Sequence, residues 1–217
     1  MKKKKILVFI VLFVLFILLI DYFGKIIPSI GLDVSENTKQ FNSLKISEGI
    51  YFRQTYNNCA PYSVMAVINI IKNEVIDPEF LSKKIKWRTK KNLTFPQGIM
   101  ELLKEYNISC NNYLLWIYND NEKINWIKNT IDIGMPIIVL VEVNNVQHFY
   151  TILGYDKNGF LIYDSLQDKS KNNNRKTIVD NSKYNGNRYY TYEEYINMWK
   201  KGGEKIFFRF WALACSN

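Results

Sequence analysis

Four lysines, Lys2 to Lys5, lead directly into Ile6 to Ile20, an unbroken run of 15 residues, every one Leu, Ile, Val or Phe. A helix made from this run is apolar on all sides, so it belongs in a membrane or an export channel, and any globular fold must be built from the residues beyond it. As a helix it rises only about 22 Å, which suits a signal-peptide core as well as a short bilayer span helped by its interfacial flank. The flank separates the two. Ile20, Asp21, Tyr22 and Phe23 are bulky or charged where a signal peptidase needs small residues, and no cysteine comes next for lipid attachment. An uncleaved signal anchor over residues 1–24 is the expectation; a cleaved one would leave the domain secreted. With the lysines kept in the cytoplasm, everything past residue 25 lies on the far side of the membrane.

The rest of the 217 residues suffices for one well-buried domain rather than two. Residues 25–47, with Pro28, Gly31, Ser35, Asn37 and Thr38 and no sustained period, read as a tether, and residues 48–217 as the domain. Apolar residues make up 47% and charged residues 23%, a balance that excludes a mainly disordered chain, a collagen or a multispanning membrane protein. The net charge of +9 is not a nucleic-acid signature. Five lysines cluster around the anchor, and the remaining charge is spread over Lys-rich and Asn-rich stretches without a recognisable RNA- or DNA-binding motif. No nucleic-acid partner is expected. A single histidine, His148, and three scattered cysteines, Cys59, Cys110 and Cys215, offer neither a Cys-x-x-Cys pair nor a His cluster, so neither a metal nor another cofactor is expected. Cys110 and Cys215 could pair in an oxidising compartment, but free buried thiols are the simpler expectation.

Helical signals come first along the domain. Val64, Ala66, Val67, Ile68 and Ile71 recur at helical spacing from Pro61 to Lys72; Asp77-Pro78 opens a second helix to about Lys86, and Pro96 to Tyr106 makes a third. A fourth runs from about Glu122 to Ile133 and stops at Gly134. Strands are expected at Tyr113 to Ile117 and Pro136 to Val143. A hairpin comes after them, in which His148 to Tyr155 and Phe160 to Tyr163 flank the Asp156-to-Gly159 turn. A polar loop spans about Ser165 to Arg188, a capping box at Thr191 opens a last helix, and Ile206 to Leu213 closes the domain as a strand. Helices first and antiparallel strands second make an α+β fold.

Cys59 stands just before the first of these helices, where unpaired N–H groups and the positive end of the helix dipole favour a thiolate. A thiol nucleophile needs a base, and His148, at the start of the hairpin, is the one histidine that can serve. Asp164 ends the return strand. Pairing across the turn puts it near Thr151, within reach of His148 if the strand carries a bulge, and there it would fix the imidazole tautomer. Gln54, five residues before Cys59, could aim its amide N–H at a developing oxyanion beside the Cys59 N–H.

This order of residues, Gln54-(x4)-Cys59 heading an apolar helix, then His148-Phe149-Tyr150-Thr151-Ile152-Leu153-Gly154-Tyr155 and Tyr163-Asp164-Ser165, resembles the papain-like cysteine peptidases. The likeness is to the double-glycine-leader, bacteriocin-processing branch and its stand-alone relatives. Gln97-Gly98 and Ile133-Gly134-Met135-Pro136-Ile137-Ile138-Val139 extend it. Ala60 and Ser165 depart from the glycine and proline often found at those places. The resemblance implies helices packed on an antiparallel sheet, a Gln54, Cys59, His148, Asp164 site, and a peptide or protein substrate. Absence of a transporter domain and an outward-facing domain argue against leader processing. The expected function is extracytoplasmic hydrolysis of peptide or amide bonds. A non-catalytic peptide-binding module and a thiol acyltransferase or cell-wall amidase remain as alternatives on the same fold.

Overall fold

The structure, a computed structural model, describes residues 2–47, 49–166, 186–203 and 208–217. Most of the polar loop expected between Ser165 and Arg188, and the start of the strand expected from Ile206, therefore lie outside the described residues. The first helix, α1 (Lys2–Gly24), is long and apolar enough to cross a membrane by length and composition, and its apolar side chains stand clear of the rest of the protein. Its end is jointed to the domain. Asp21 Oδ1 accepts the backbone N–H of Ile26 at 2.8 Å, Phe23 packs against Trp87 with ring centroids 4.7 Å apart, and Ile26 packs on the main core.

The stretch read as a tether is laid along the domain. The Ser29 N–H donates to Leu114 O, Lys128 Nζ reaches Asn37 O at 2.7 Å, and the two-residue strand β1 (Asn42–Ser43) pairs with the strand that carries His148. Gly154 is obligatory at that contact, since a Cβ there would sit 2.5 Å from Asn42 O.

Three helices come next: α2 (Cys59–Lys72), α3 (Pro78–Lys84) and α4 (Pro96–Glu105). Asp77 caps α3 by accepting the Glu79 N–H, with Pro78 in the first turn where its missing N–H costs nothing. In α2 every residue from Ala60 to Asn69 is buried, so this helix is the centre of its layer. After β2 (Ser109–Leu114), helix α5 (Asp120–Asp132) opens with an Asn119/Glu122 capping box and ends before Gly134 at φ +85°. Strands β3 (Ile137–Val143), β4 (Val146–Tyr155) and β5 (Gly159–Tyr163) succeed it. The chain then forms β6 (Arg188–Thr191), helix α6 (Tyr192–Lys201) with its Thr191/Glu194 capping box, and β7 (Trp211–Ser216).

The strands form one antiparallel sheet in the order β2-β7-β3-β4-β5-β6, with β1 beside the end of β4. The sheet separates two cores, and period-two alternation feeds both. Ile138, Leu140 and Leu213 pack toward α2, α3 and α4, whereas Ile137, Val139, Val141 and Ala212 pack toward α5 and α6. Because α2 fills its layer so completely, truncating Met65 to Ala would cost about 2–5 kcal/mol.

Two strands differ from their expected limits for identifiable reasons. β2 runs over Ser109–Leu114 rather than Tyr113–Ile117 because its partner is β7, and Trp116 and Ile117 instead stand exposed past its end. β7 starts at Trp211 because Phe210, at φ +56°, breaks the extended backbone just before it.

The pairing of β2 with β7 sets Cys110 opposite Cys215, with the sulfurs 3.3 Å apart as free thiols. Burial and the neighbouring sulfur hold the Cys215 thiol well above the ordinary range. In a Cys59→Ala variant treated with diamide, both remaining thiols should disappear together as one intramolecular disulfide, read as a mass loss of about 2 Da against the dithiothreitol-reduced sample. Two titratable thiols persisting after unfolding would contradict this strand pairing.

Candidate active site

The sequence placed Cys59 at or beside the helix cap, and in the structure it is the first helical residue of α2, after the cap residue Asn58. Pro61, third in the helix, lies where backbone N–H groups have no intrahelical acceptor. Asn58 does not cap with its side chain. Its amide is turned away, donating to Thr55 Oγ1 at 2.6 Å and accepting from Arg88 Nη2 at 2.6 Å and Ser82 Oγ at 3.1 Å. The positive end of α2 is thereby left open to the Cys59 sulfur. Asn57, at φ +53°, makes the turn into the helix.

The helix is fastened to β4 by two hydrogen bonds across the layer. Ser63 Oγ donates to Phe149 O and Thr151 Oγ1 donates to Ser63 O, each at 3.3 Å. This brings the thiol of Cys59 against the ring of His148. His148 Nε2 lies 2.9 Å from Asp164 Oδ1, so Nδ1 is the ring nitrogen left for the sulfur. His148 and Asp164 are buried, and Cys59 is partly exposed.

The reach of Asp164 depends on a bulge. Tyr155 pairs with Phe160 as the turn dictates, but the register shifts between Ile152 and Gly154, so that Thr151 faces Tyr163. Continued by one residue, this register sets Asp164 level with Tyr150, on the same side of the strand as His148, rather than with Thr151 on the other side. The His148 and Tyr150 rings meet edge to face at 4.8 Å, consistent with that shared side.

Around Asp164 the structure adds groups that no sequence motif singles out. Asn187 clamps its backbone in both directions, accepting the Asp164 N–H at 2.8 Å and donating to Asp164 O at 2.7 Å. The Leu166 N–H donates to Oδ1 and Arg188 Nε approaches Oδ2 at 3.4 Å. Asn187 and Arg188 lie in and just past a polar stretch with no period to mark them. Gln54 is placed through Ser165: its N–H donates to Ser165 O, and its Oε1 accepts the Ser165 hydroxyl at 2.8 Å. A proline at that position could not make the second bond. With Oε1 occupied, the NH2 group of Gln54 is the end available to a ligand oxygen.

Burial pushes the Cys59 thiol up, but the hydrogen bond and charge of His148, with backbone hydrogen bonds from Phe149 and Ala60, outweigh it and leave the thiol below its ordinary value. Burial pulls His148 down, and the bonds to Asp164 and Cys59 overcome it, raising the imidazole to about 9. The two shifts point the same way: each group's environment favours its charged form, thiolate for Cys59 and imidazolium for His148. Among the described residues no group of three or more His, Cys, Asp or Glu is arranged to hold a metal ion.

A thiol at the head of a helix packed on an antiparallel sheet, against an imidazole that a carboxylate holds from behind, is the arrangement of the cysteine-peptidase class. Residues 39–199 match the Peptidase_C39 like family, and the chain belongs to it. Among solved structures, a protein from Bacillus anthracis described as a C39-like peptidase aligns with a TM-score of 0.52 at 13% identity, over 81% of this chain and 98% of that one. The peptidase domain of Streptococcus ComA, a bi-functional ABC transporter involved in a quorum-sensing pathway, aligns with a TM-score of 0.49 at 19% identity, over 76% of this chain and 96% of that one. Likeness at such low identity speaks for the fold alone. No curated protein sequence matches the chain.

The opposed shifts set a pH window. Thiolate is lost as pH falls through the lowered Cys59 value, and imidazolium is lost as pH rises through about 9. The iodoacetamide rate at Cys59 should therefore exceed that of a free thiol at about pH 6 to 7, where a free thiol is almost wholly protonated. An Asp164→Asn variant should move the alkaline limb to lower pH, because it removes the charge that holds His148 up. A Cys59 that alkylates along a free-thiol titration curve would contradict the ion pair.

Proposed function

We propose that the chain is a membrane-anchored cysteine peptidase that hydrolyses peptide or related amide bonds outside the cytoplasm. The observation that carries this reading is the joined line of Cys59, His148 and Asp164, with the 2.9 Å bond behind the imidazole and the thiol at the open end of α2. The outward placement rests on the anchor and on the lysines that precede it.

In the proposed reaction the Cys59 thiolate attacks the carbonyl carbon, and the carbonyl electron pair moves onto oxygen. The Cys59 N–H and the Gln54 amide stabilise that oxyanion. His148 then gives its proton to the leaving amine as the C–N bond breaks, producing a thioester. A water molecule, deprotonated by His148, attacks the thioester and releases the acid and the thiolate. Asp164 holds the ring in register and stabilises its charged form, as the carboxylate of a triad does. Ser165 supports the oxyanion donor by holding Gln54 from the acceptor end. The departure from proline at position 165 is thus compatible with activity.

The test is to incubate the purified full chain in detergent with a diverse peptide mixture and to map cut sites by mass spectrometry. Cuts should appear with the wild type and vanish with Cys59→Ala. Gln54→Ala should lower kcat by about 10²–10³ with little change in KM, the loss expected for one oxyanion donor. Cutting that survives in Cys59→Ala, or a wild type whose thiol is rapidly alkylated but which cuts nothing, would count against the proposal.

A further inference from the structure

One segment near the site is used neither by the core nor by the proposed chemistry. Residues 86–95, Lys-Trp-Arg-Thr-Lys-Lys-Asn-Leu-Thr-Phe, contain four basic residues and no acidic one. They fold back on themselves as a short hairpin. Arg88 bridges Thr94, the Thr89 N–H donates to Leu93 O, the Phe95 N–H donates to Trp87 O, and Asn92 turns the chain at φ +62°. Its root is fixed by Gly98, where a Cβ would lie 2.2 Å from Lys86 O.

The two sides of this hairpin have different surroundings. Arg88 points inward, with Nη2 on Asn58 Oδ1 and Asn92 O and Nη1 on Ser82, and so braces the loop that precedes Cys59. Asn57 Nδ2 and Asn92 Nδ2 add bonds between the same two loops, to Lys91 O and Tyr56 O. On the other side Trp87, Leu93 and Phe95 are 44%, 52% and 47% exposed, large apolar groups facing out together. Lys86, Lys90 and Lys91 of the same hairpin are exposed and without a direct ion pair among the described residues, although Lys86 lies within electrostatic reach of Glu101. Glu101 accepts the Trp87 indole N–H at 2.8 Å.

The position of the hairpin relative to α1 identifies its occupant. Phe23, in the last turn of the membrane-crossing candidate, packs directly against Trp87, the rings tilted by 39° with centroids 4.7 Å apart. Gly24 next to it abuts the Phe208 ring so closely that no Cβ would fit. The domain therefore meets the end of the anchor at the hairpin. The apolar run of α1 rises about 22 Å against a hydrocarbon core of about 30 Å, so its last turn is drawn to the boundary between lipid chains and headgroups. Trp87 is carried to the same depth. An amphipathic aromatic at the boundary, with lysines in the same hairpin, is the composition that seats in anionic headgroups.

We propose that the 86–95 hairpin is a second membrane contact, seated in the anionic headgroup zone of the leaflet into which α1 emerges. Through Arg88 and Asn58 it holds the mouth of the Cys59 site close to the lipid surface. The inference rests on α1 being a membrane span, and its test separates the two ideas. The full chain is reconstituted into vesicles whose lipid chains carry bromine, a short-range quencher of tryptophan emission. The contribution of Trp87 is taken as the difference between wild type and Trp87→Phe, which keeps a ring on Phe23. In the Trp87→Phe background, Phe13→Trp reports on the exposed middle of α1.

The expected result is loss of both the Phe13→Trp and the Trp87 emission. The Trp87 loss should be greater in vesicles containing phosphatidylglycerol than in phosphatidylcholine alone. Replacing Lys86, Lys90 and Lys91 with Gln should remove that lipid dependence. Quenching at position 13 without quenching of Trp87 overturns the hairpin proposal and leaves the anchor standing. Absence of quenching at position 13 overturns the anchor, and the hairpin contact falls with it.

Discussion

The site is organised by one electrostatic arrangement: a thiol and an imidazole held side by side in a largely buried pocket, with a carboxylate behind the ring. Each charge would be expelled from such a place alone, since burial pushes Cys59 up and His148 down. Each of those pushes is outweighed by the other group, and for His148 also by Asp164, 2.9 Å from the far ring nitrogen. The scaffold serves this meeting. Ser63 and Thr151 fasten α2 to β4, Asn187 clamps the Asp164 backbone, and Ser165, next to Asp164, holds Gln54.

Local stability is given up at the head of α2. A residue of the Asn type at a helix cap contributes about 1 kcal/mol when its side chain bonds the first turn. Asn58 does not make that bond, although Asp77, Asn119 and Thr191 do so on their own helices. Its side chain is engaged instead by Arg88, Ser82 and Thr55, so the end of α2 faces the sulfur. Trp87 at φ +52° and Asn57 at φ +53° add backbone conformations uncommon for side-chain-bearing residues in the two loops beside Cys59.

Much of this was legible in the chain. Proline and capping signals located α3, α4, α5 and α6 to within a few residues, because those signals act on backbone groups a few positions away. Strand limits were harder to read. β2 is an edge strand carrying Asn111 and Asn112, and the apolar Trp116 and Ile117 are exposed beyond it. β7 is built from small residues such as Ala212 and Ala214, whose extended state comes from pairing with β2 and β3. Arg188, Asn187 and Arg88 carry no local pattern at all; their roles exist only as distances to Asp164 and Asn58.

By itself the sequence determined an apolar span too uniform for a soluble core, a helix with a cysteine at its head, and one histidine on a hairpin that ends in an aspartate. Those are properties of neighbours along the chain, set by side-chain polarity, spacing and turn chemistry. Only the tertiary structure decided that β4 slips by one residue between Ile152 and Gly154. Strand faces alternate with every residue, so that slip settles whether Asp164 falls on the side of His148 or on the opposite one. It likewise decided that Phe23 meets Trp87, since two rings far apart in the chain are brought together by packing and not by any rule of sequence.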